Sequence, residues 1–149
     1  MRRSVVAVLA GLVLISVIVE SFEFALVALV NRGVTTDPDI YLRVRNQPAF
    51  LAAKLVYNTA AAIIGGLVAA WLARRAAVAH GMVLAVIETA AFGWALATPA
   101  LRRSAPDWMW AALIVLTFAG INAGSLFQRR RVPLANKPLQ PANGADLKS

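Results

Sequence analysis

The chain has 149 residues, of which 60% are hydrophobic and 15% are charged, and its mean hydropathy is +0.68. This composition is too apolar for a soluble domain of this length and is typical of a membrane protein. Lys and Arg outnumber Asp and Glu by 15 to 7, which gives a formal net charge of +8. Because basic residues at helix ends meet anionic lipid headgroups, we expect the lipid bilayer, and no nucleic acid, as the partner of these charges.

The apolar residues form four blocks, each long enough for the ~20 residues that a spanning helix requires. They predict an all-α fold, a bundle of four transmembrane helices over about residues 4–30, 48–73, 77–100 and 107–128, within a domain of residues 1–131. Arg2 and Arg3 before the first block are also typical of a secretory signal. However, the apolar run extends beyond the usual length of about 7 to 15 residues, and no A-x-A type site closes it before Glu20. We therefore expect an uncleaved helix.

The connection between the first two helices, residues 31–47, contains the stretch TTDPDIYLRVRNQP. Thr36 or Asp37 is suited to cap a helix, and Pro38 is suited to its first position. The sequence therefore predicts a short helix on the membrane surface. Its apolar side would consist of Ile40, Tyr41 and Val44, with Arg43 and Arg45 beside them.

Ionisable and polar residues recur along the apolar blocks. Glu20 and Glu23 share a face of the first helix by their i, i+3 spacing, and Lys54 and Asn58 share a face of the second by i, i+4. At ~1.5 Å per residue from the outer helix ends, Glu23 and Lys54 fall at similar depths. One turn deeper lie Glu20, Asn58, Glu88 and Thr117, one from each helix.

An ionised side chain near the bilayer centre costs ~2.5 to 3.5 kcal/mol on insertion scales, so we expect these groups to face inward as one buried polar cluster. We expect Glu23 to be the ionic partner of Lys54, with Glu20 and Glu88 as a more protonated pair below them. Three carboxylates against one ammonium leave two excess negative charges, which protons or a cation would have to balance. The cluster is either a polar contact that fixes helix register or a site for a proton, a cation or a cationic solute.

Small residues form a second pattern. The second helix contains Gly65 and Gly66, and the fourth contains Gly120 and Gly124 in a G-x-x-x-G spacing. Such residues let helix backbones approach closely, either within one bundle or between copies. A homodimer or a larger membrane complex therefore remains open.

No pattern in the chain predicts catalysis. It has no cysteine, and it lacks H-E-x-x-H, G-x-S-x-G and Walker-type motifs. His80, at the start of the third helix, is expected to be an interfacial histidine rather than a metal ligand. We predict no enzymatic activity, no catalytic residue, no metal and no cofactor.

The placement of Lys and Arg near the helix ends predicts the orientation. Eight of these residues lie on the side of the N-terminus and five on the other, which favours an inner (plasma) membrane protein with both termini in the cytoplasm. After Arg131 the sequence VPLANKPLQPANGADLKS is polar and rich in Pro and Asn. We expect residues 132–149 to be a disordered cytoplasmic tail.

Four stretches carry a resemblance to a group of proteins: VESFEF closing the first helix, IIGGLVAAWLARR in the second, AHGMVLAVIE in the third and SAPDWMWAALIVLTFAGINAG in the fourth. Over about the first 130 residues the chain resembles a loose group of small bacterial four-helix integral membrane proteins of unknown function. The resemblance implies the architecture and no activity. Lys54 departs from what that group leads us to expect.

Two functions remain as hypotheses. The first is a non-enzymatic integral membrane protein that acts as a structural or accessory subunit with a buried polar cluster. The second is a small proton- or cation-coupled transporter that works through the intramembrane carboxylates.

Overall fold

The computed structural model of the protein describes residues 2–73 and 76–131. Every regular element in these two ranges is a helix, which confirms the predicted all-α fold. The predicted tail, residues 132–149, and the turn residues Arg74 and Arg75 lie outside the described residues. The helices are α1 (Arg2–Val30), α2 (Pro38–Arg45), α3 (Pro48–Ala73), α4 (Ala77–Ala97), α5 (Pro99–Arg102) and α6 (Asp107–Arg131).

Four of these helices, α1, α3, α4 and α6, are long and apolar enough to cross a membrane. The protein is thus a multi-pass membrane protein with a four-helix bundle. Helix α3 packs against α1, α4 and α6, and α4 also packs against α6 and, less extensively, against α1. We call the end of the bundle that carries α2 and α5 the α2 end, and the opposite end the N-terminal end.

Helix α2 forms where the sequence predicts it. Asp37 is the N-cap, and its Oδ1 accepts the backbone N–H groups of Asp39 at 2.9 Å and Ile40 at 3.4 Å. Pro38 occupies the first turn, where its missing N–H costs nothing. Val44 is buried against Val27 of α1 and Phe50 of α3, so the apolar side of α2 holds it on the bundle.

Two helix ends differ from the prediction by three residues. The third long helix was expected to reach residue 100, but α4 ends at Ala97. Pro99 disfavours the helical conformation of the residue before it, and Thr98 is extended at φ −93° and ψ 112°. A separate turn, α5, follows. The fourth long helix continues past residue 128 to Arg131, through residues that favour helix.

The glycines of α3 and α6 lie in close helix–helix contacts inside the bundle. A Cβ built at Gly66 would come under 3.0 Å from the backbone of Ile121, and one at Gly124 would meet the backbone of Ile63 in the same way. A Cβ at Gly120 would lie 3.1 Å from Ala62 Cβ. The G-x-x-x-G spacing of α6 therefore faces α3 of the same chain.

The bundle is closed at its N-terminal end and divided at its α2 end. At the N-terminal end one apolar cluster joins all four long helices, with Val8, Ala61, Leu84 and Ile121 among its members. Gly11 and Gly65 bring α1 and α3 together there, and a Cβ at Gly11 would lie 2.7 Å from Leu84 Cδ2 of α4. At the α2 end one cluster joins α1, α2 and α3, and a separate one joins α3, α4 and α6. A space between α1 and α4 separates these two clusters.

Candidate functional site: a charged cavity at the α2 end

Glu23 of α1 is the centre of a buried polar network. The residue is 4% exposed, and its Oε2 accepts hydrogen bonds from Lys54 Nζ at 2.5 Å and Tyr57 Oη at 3.2 Å. Oε1 accepts a hydrogen bond from Tyr41 Oη at 3.1 Å and lies 2.9 Å from Arg45 Nε. One carboxylate thus joins α1 to both α2 and α3.

Helix α3 supplies its side of this network by simple helical spacing. Lys54 and Tyr57 are three residues apart and lie on one face, so both reach the same carboxylate oxygen. Lys54 is 4% exposed, so the contact with Glu23 that we expected from helix depth lies in the interior. Asn58, one turn further along, donates its Nδ2 to the carbonyl oxygen of Lys54 at 2.9 Å.

Helix α2 supplies two partners that the sequence analysis assigned to the membrane surface. Tyr41 and Arg45 are four residues apart, a spacing that places them on one face of α2, and that face turns toward Glu23. The Nε–H of Arg45 is not aimed at the carboxylate oxygen, so this contact is an ion pair rather than an aligned hydrogen bond. The i, i+4 spacing was the only sign in the sequence that both side chains could reach one group.

Tyr41 remains a proton donor over the whole physiological pH range. Its burial, and next the negative charge of Glu23, raise the pKa of its phenol to about 12. The phenol therefore stays protonated and keeps its hydrogen bond to Oε1.

The network borders a cavity of about 200 Å³ between α1 and α4. Helices α3 and α6 form its back wall, and Arg45 of α2 lies at its end. The volume has room for several water molecules. Its lining residues are Ile15, Ser16, Val19, Glu20, Glu23, Arg45, Lys54, Asn58, Glu88, Phe92, Trp110 and Leu113.

All five residues predicted for the polar cluster line this cavity, but they do not share one environment. Glu23, Lys54 and Asn58 are buried, whereas Glu88 is half-buried and Glu20 is exposed. The expectation that Glu20 is buried is wrong. At 3.6 residues per turn, side chains three residues apart diverge by about 60° around the axis, so Glu23 faces the interior while Glu20 lies at the edge of the cavity.

Glu20 and Glu88 also do not form the expected pair. No hydrogen bond or ion pair within the described residues joins either carboxylate to the other or to any other side chain. Thr117, which we placed at the same depth, is buried but does not line the cavity. Among the described residues, the cavity thus contains one carboxylate with several direct contacts and two without a hydrogen bond or an ion pair.

Arg45 changes the net charge predicted for the site. Three carboxylates, Glu20, Glu23 and Glu88, face two cationic side chains, Lys54 and Arg45. Three negative and two positive charges leave one excess negative charge, not the two expected when α2 was placed on the membrane surface. A single proton or a single monovalent cation would neutralise the cavity.

The depth of the two unpartnered carboxylates makes them costly. Glu20 precedes the end of α1 at Val30 by ten residues, and Glu88 precedes the end of α4 at Ala97 by nine, which is about 14 to 15 Å in each case. In a hydrocarbon layer of ~30 Å this depth is close to the middle. An ionised carboxylate there costs several kcal/mol on insertion scales unless it is protonated or paired.

His80 lies apart from this site, at the start of α4, where its Nδ1 is 3.0 Å from the carbonyl oxygen of Ala76. Within residues 2–73 and 76–131, no group of three or more His, Cys, Asp and Glu residues is placed to hold a metal ion.

The fold and the cavity define a class: a multi-pass, four-helix membrane protein with a charged cavity at one end of the bundle. Comparison of the chain with protein-family models, with curated proteins and with solved structures gives no match. The resemblance to small bacterial four-helix membrane proteins therefore stays a prediction.

Proposed function

We propose that the protein is a non-enzymatic membrane protein that works as a small proton- or cation-coupled carrier through Glu20 and Glu88. The observation that carries the proposal is the difference in contacts among the three carboxylates of the cavity. Glu23 is held by Lys54, Arg45, Tyr41 and Tyr57, whereas Glu20 and Glu88 line the same cavity with no hydrogen bond or ion pair to the described residues.

The shape of the bundle supports a carrier. The cavity interrupts the packing between α1 and α4 at the α2 end, while Gly11, Leu84 and their neighbours close the same two helices at the N-terminal end. A site near the middle of the bilayer, between helices that are apart at one end of the bundle and closed at the other, is an arrangement that suits alternating access. The carboxylates on α1 and α4 would exchange a proton for a cation as the two helices move apart or together.

Orientation follows from charge placement. We infer that both termini lie in the cytoplasm of a bacterial cell, with the α2 end outside the inner membrane, because Lys and Arg are more numerous near the N-terminal end. In this orientation the cavity belongs to the outer half of the bilayer.

Reconstitution into liposomes with an enclosed pH-sensitive dye tests the carrier function. We expect proton movement when a gradient of K⁺, Na⁺ or a small organic cation is imposed, and its loss in Glu20→Gln and in Glu88→Gln. Asp39→Asn is the matched control, because it also converts a carboxylate to an amide, on the exposed first turn of α2. Flux that is absent from the native protein, or unchanged in both glutamine variants, would overturn the proposal.

A structural or accessory subunit is the second candidate, and the Glu23 network favours it. That network joins three helices and explains Lys54, Arg45 and both tyrosines without any ligand. A subunit should co-purify with a larger membrane complex in mild detergent and show no flux when reconstituted alone. Mass spectrometry of the purified assembly, together with the liposome measurement, separates the two functions.

A further inference from the structure

The cavity opens on the side of the bundle, in the space between α1 and α4. Two of its lining residues, Ser16 and Glu20, are exposed, and they lie on successive turns of α1 beside the buried stripe that contains Ile15 and Glu23. At the α2 end the cavity is bordered by Arg45, whose side chain is only 20% exposed. Since Glu20 lies about 15 Å below the end of α1, this opening faces lipid rather than bulk water.

Two carboxylates in the cavity are not held by a direct contact. Glu20 and Glu88 form no hydrogen bond and no ion pair with any other described residue. Asn58 is 5% exposed and lines the cavity, and its Nδ2 bonds to the Lys54 carbonyl, but its Oδ1 accepts no hydrogen bond from the described part of the chain. Asn58 Oδ1 is not one of the enclosed polar atoms without a partner, so water in the cavity can satisfy it, and the amide adds a polar group beside the two carboxylates.

Aromatic and apolar side chains form the rest of the wall. The rings of Phe92 and Trp110 lie 6.3 Å apart at an angle of 55°, and Trp110 is held by a hydrogen bond from its Nε1 to the Arg102 carbonyl at 3.3 Å. Aromatic faces attract alkylammonium groups. Ile15, Val19 and Leu113 complete an apolar surface on which a methylated or alkyl group can pack.

Charge and size limit the ligand further. The single excess negative charge matches a monovalent cation. Lys54 and Arg45 at the cavity disfavour a divalent metal ion, which also needs about six oxygen ligands where the cavity offers two free carboxylates and one amide. A volume of about 200 Å³ is larger than a bare ion needs, yet smaller than the ~300 to 1,000 Å³ of sites for drug-sized ligands.

We propose that the cavity binds an amphiphilic organic monocation, whose ammonium group lies between Glu20 and Glu88 and whose apolar chain leaves through the opening between α1 and α4 into the lipid. This inference rests on the proposed function for the role of the two carboxylates. It adds the chemical class of the ligand and its route of entry from the bilayer.

Equilibrium binding of radiolabelled dodecyltrimethylammonium to the full chain in phosphatidylcholine nanodiscs tests the proposal. Its permanent charge removes any effect of ligand protonation. We expect saturable binding to one site, and a loss of affinity of about tenfold or more in the Glu20→Gln, Glu88→Gln double variant, since the attraction between the carboxylates and the ammonium charge is removed. Asp39→Asn should bind as the native protein does. Glu20→Gln alone should also weaken binding. Because Glu20 is exposed, this replacement should leave the fold intact.

Two competitors complete the test. Dodecanol has the chain without the charge, and tetramethylammonium has the charge without the chain, so neither should displace the ligand at equal concentration. Displacement by dodecanol would show that the charge contributes nothing to binding, and displacement by tetramethylammonium would show that the apolar chain contributes nothing. Either result overturns the proposal, as does undiminished binding in the double variant. Binding without flux in liposomes would support this inference and contradict the carrier function. Proton flux without binding would support the carrier function and contradict this inference.

Discussion

Glu23 and Lys54 are 31 residues apart in the chain, yet Lys54 Nζ lies 2.5 Å from Glu23 Oε2 in the interior of the bundle. Both residues are 4% exposed, so the protein itself supplies most of the polar environment of the two charges. The contact connects α1 to α3, and Arg45 adds a second cation on the other carboxylate oxygen. Removing one member therefore has consequences that depend on which charges are left behind.

Glu23→Gln should be the most destabilising single change in this network. It leaves the buried Lys54 and the half-buried Arg45 without the carboxylate that they contact, and losing one member of a buried pair costs ~3 to 5 kcal/mol. Lys54→Met should cost less, because Arg45 still faces Glu23. The double variant should recover much of the loss. Thermal unfolding of the native protein, the two single variants and the double variant in detergent measures this double-mutant cycle. Additive losses of stability would show that the two residues do not interact.

The raised pKa of Tyr41 predicts a loss of stability in alkali. Below pH ~10 the phenol is protonated in both the folded and the unfolded state, so its full contribution is present. Between that value and its folded pKa of about 12, deprotonation of the unfolded state progressively removes the contribution. Phenolate absorbance in a Tyr57→Phe background, which leaves Tyr41 as the only tyrosine, should titrate near pH 12. Titration near pH 10 would show that the phenol does not face Glu23.

Gly124→Ala should destabilise the monomer, because the new methyl group meets the backbone around Ile63, which cannot move aside as a side chain can. We expect a cost of about 1 to 3 kcal/mol in thermal unfolding. Gly93→Ala is the matched control on α4, where a Cβ has nothing within 4 Å. It should be neutral or stabilising by up to ~1 kcal/mol, since alanine favours helix more than glycine does. If Gly124→Ala abolishes only a crosslinked dimer and leaves the monomer intact, the glycine faces a second copy instead.

The absence of cysteine from the chain makes the orientation directly testable. Single cysteines in Val34→Cys and Arg103→Cys lie at exposed positions of the α2 end, and Ala76→Cys lies at the opposite end. An impermeant thiol reagent added to intact cells should label the first two and not the third. Labelling of Ala76→Cys alone would invert the orientation.

The linear sequence determined the helices and their relative depths. Hydropathy located the four spanning segments, because each must offer lipid a continuous apolar surface. The Asp37–Pro38 pair located the start of α2, because capping is a local interaction. The depth match between Glu23 and Lys54 could be counted, since helix rise per residue is constant.

Only the tertiary structure decided how the helices rotate about their axes and where α2 lies. Small rotations separate Glu23 in the interior from Glu20 at the cavity edge, and the sequence pattern does not resolve an angle of about 60°. The position of α2 depends on Val44 packing between α1 and α3, a contact between segments distant in the chain. That packing carries Tyr41 and Arg45 to Glu23, and so it sets the charge of the cavity.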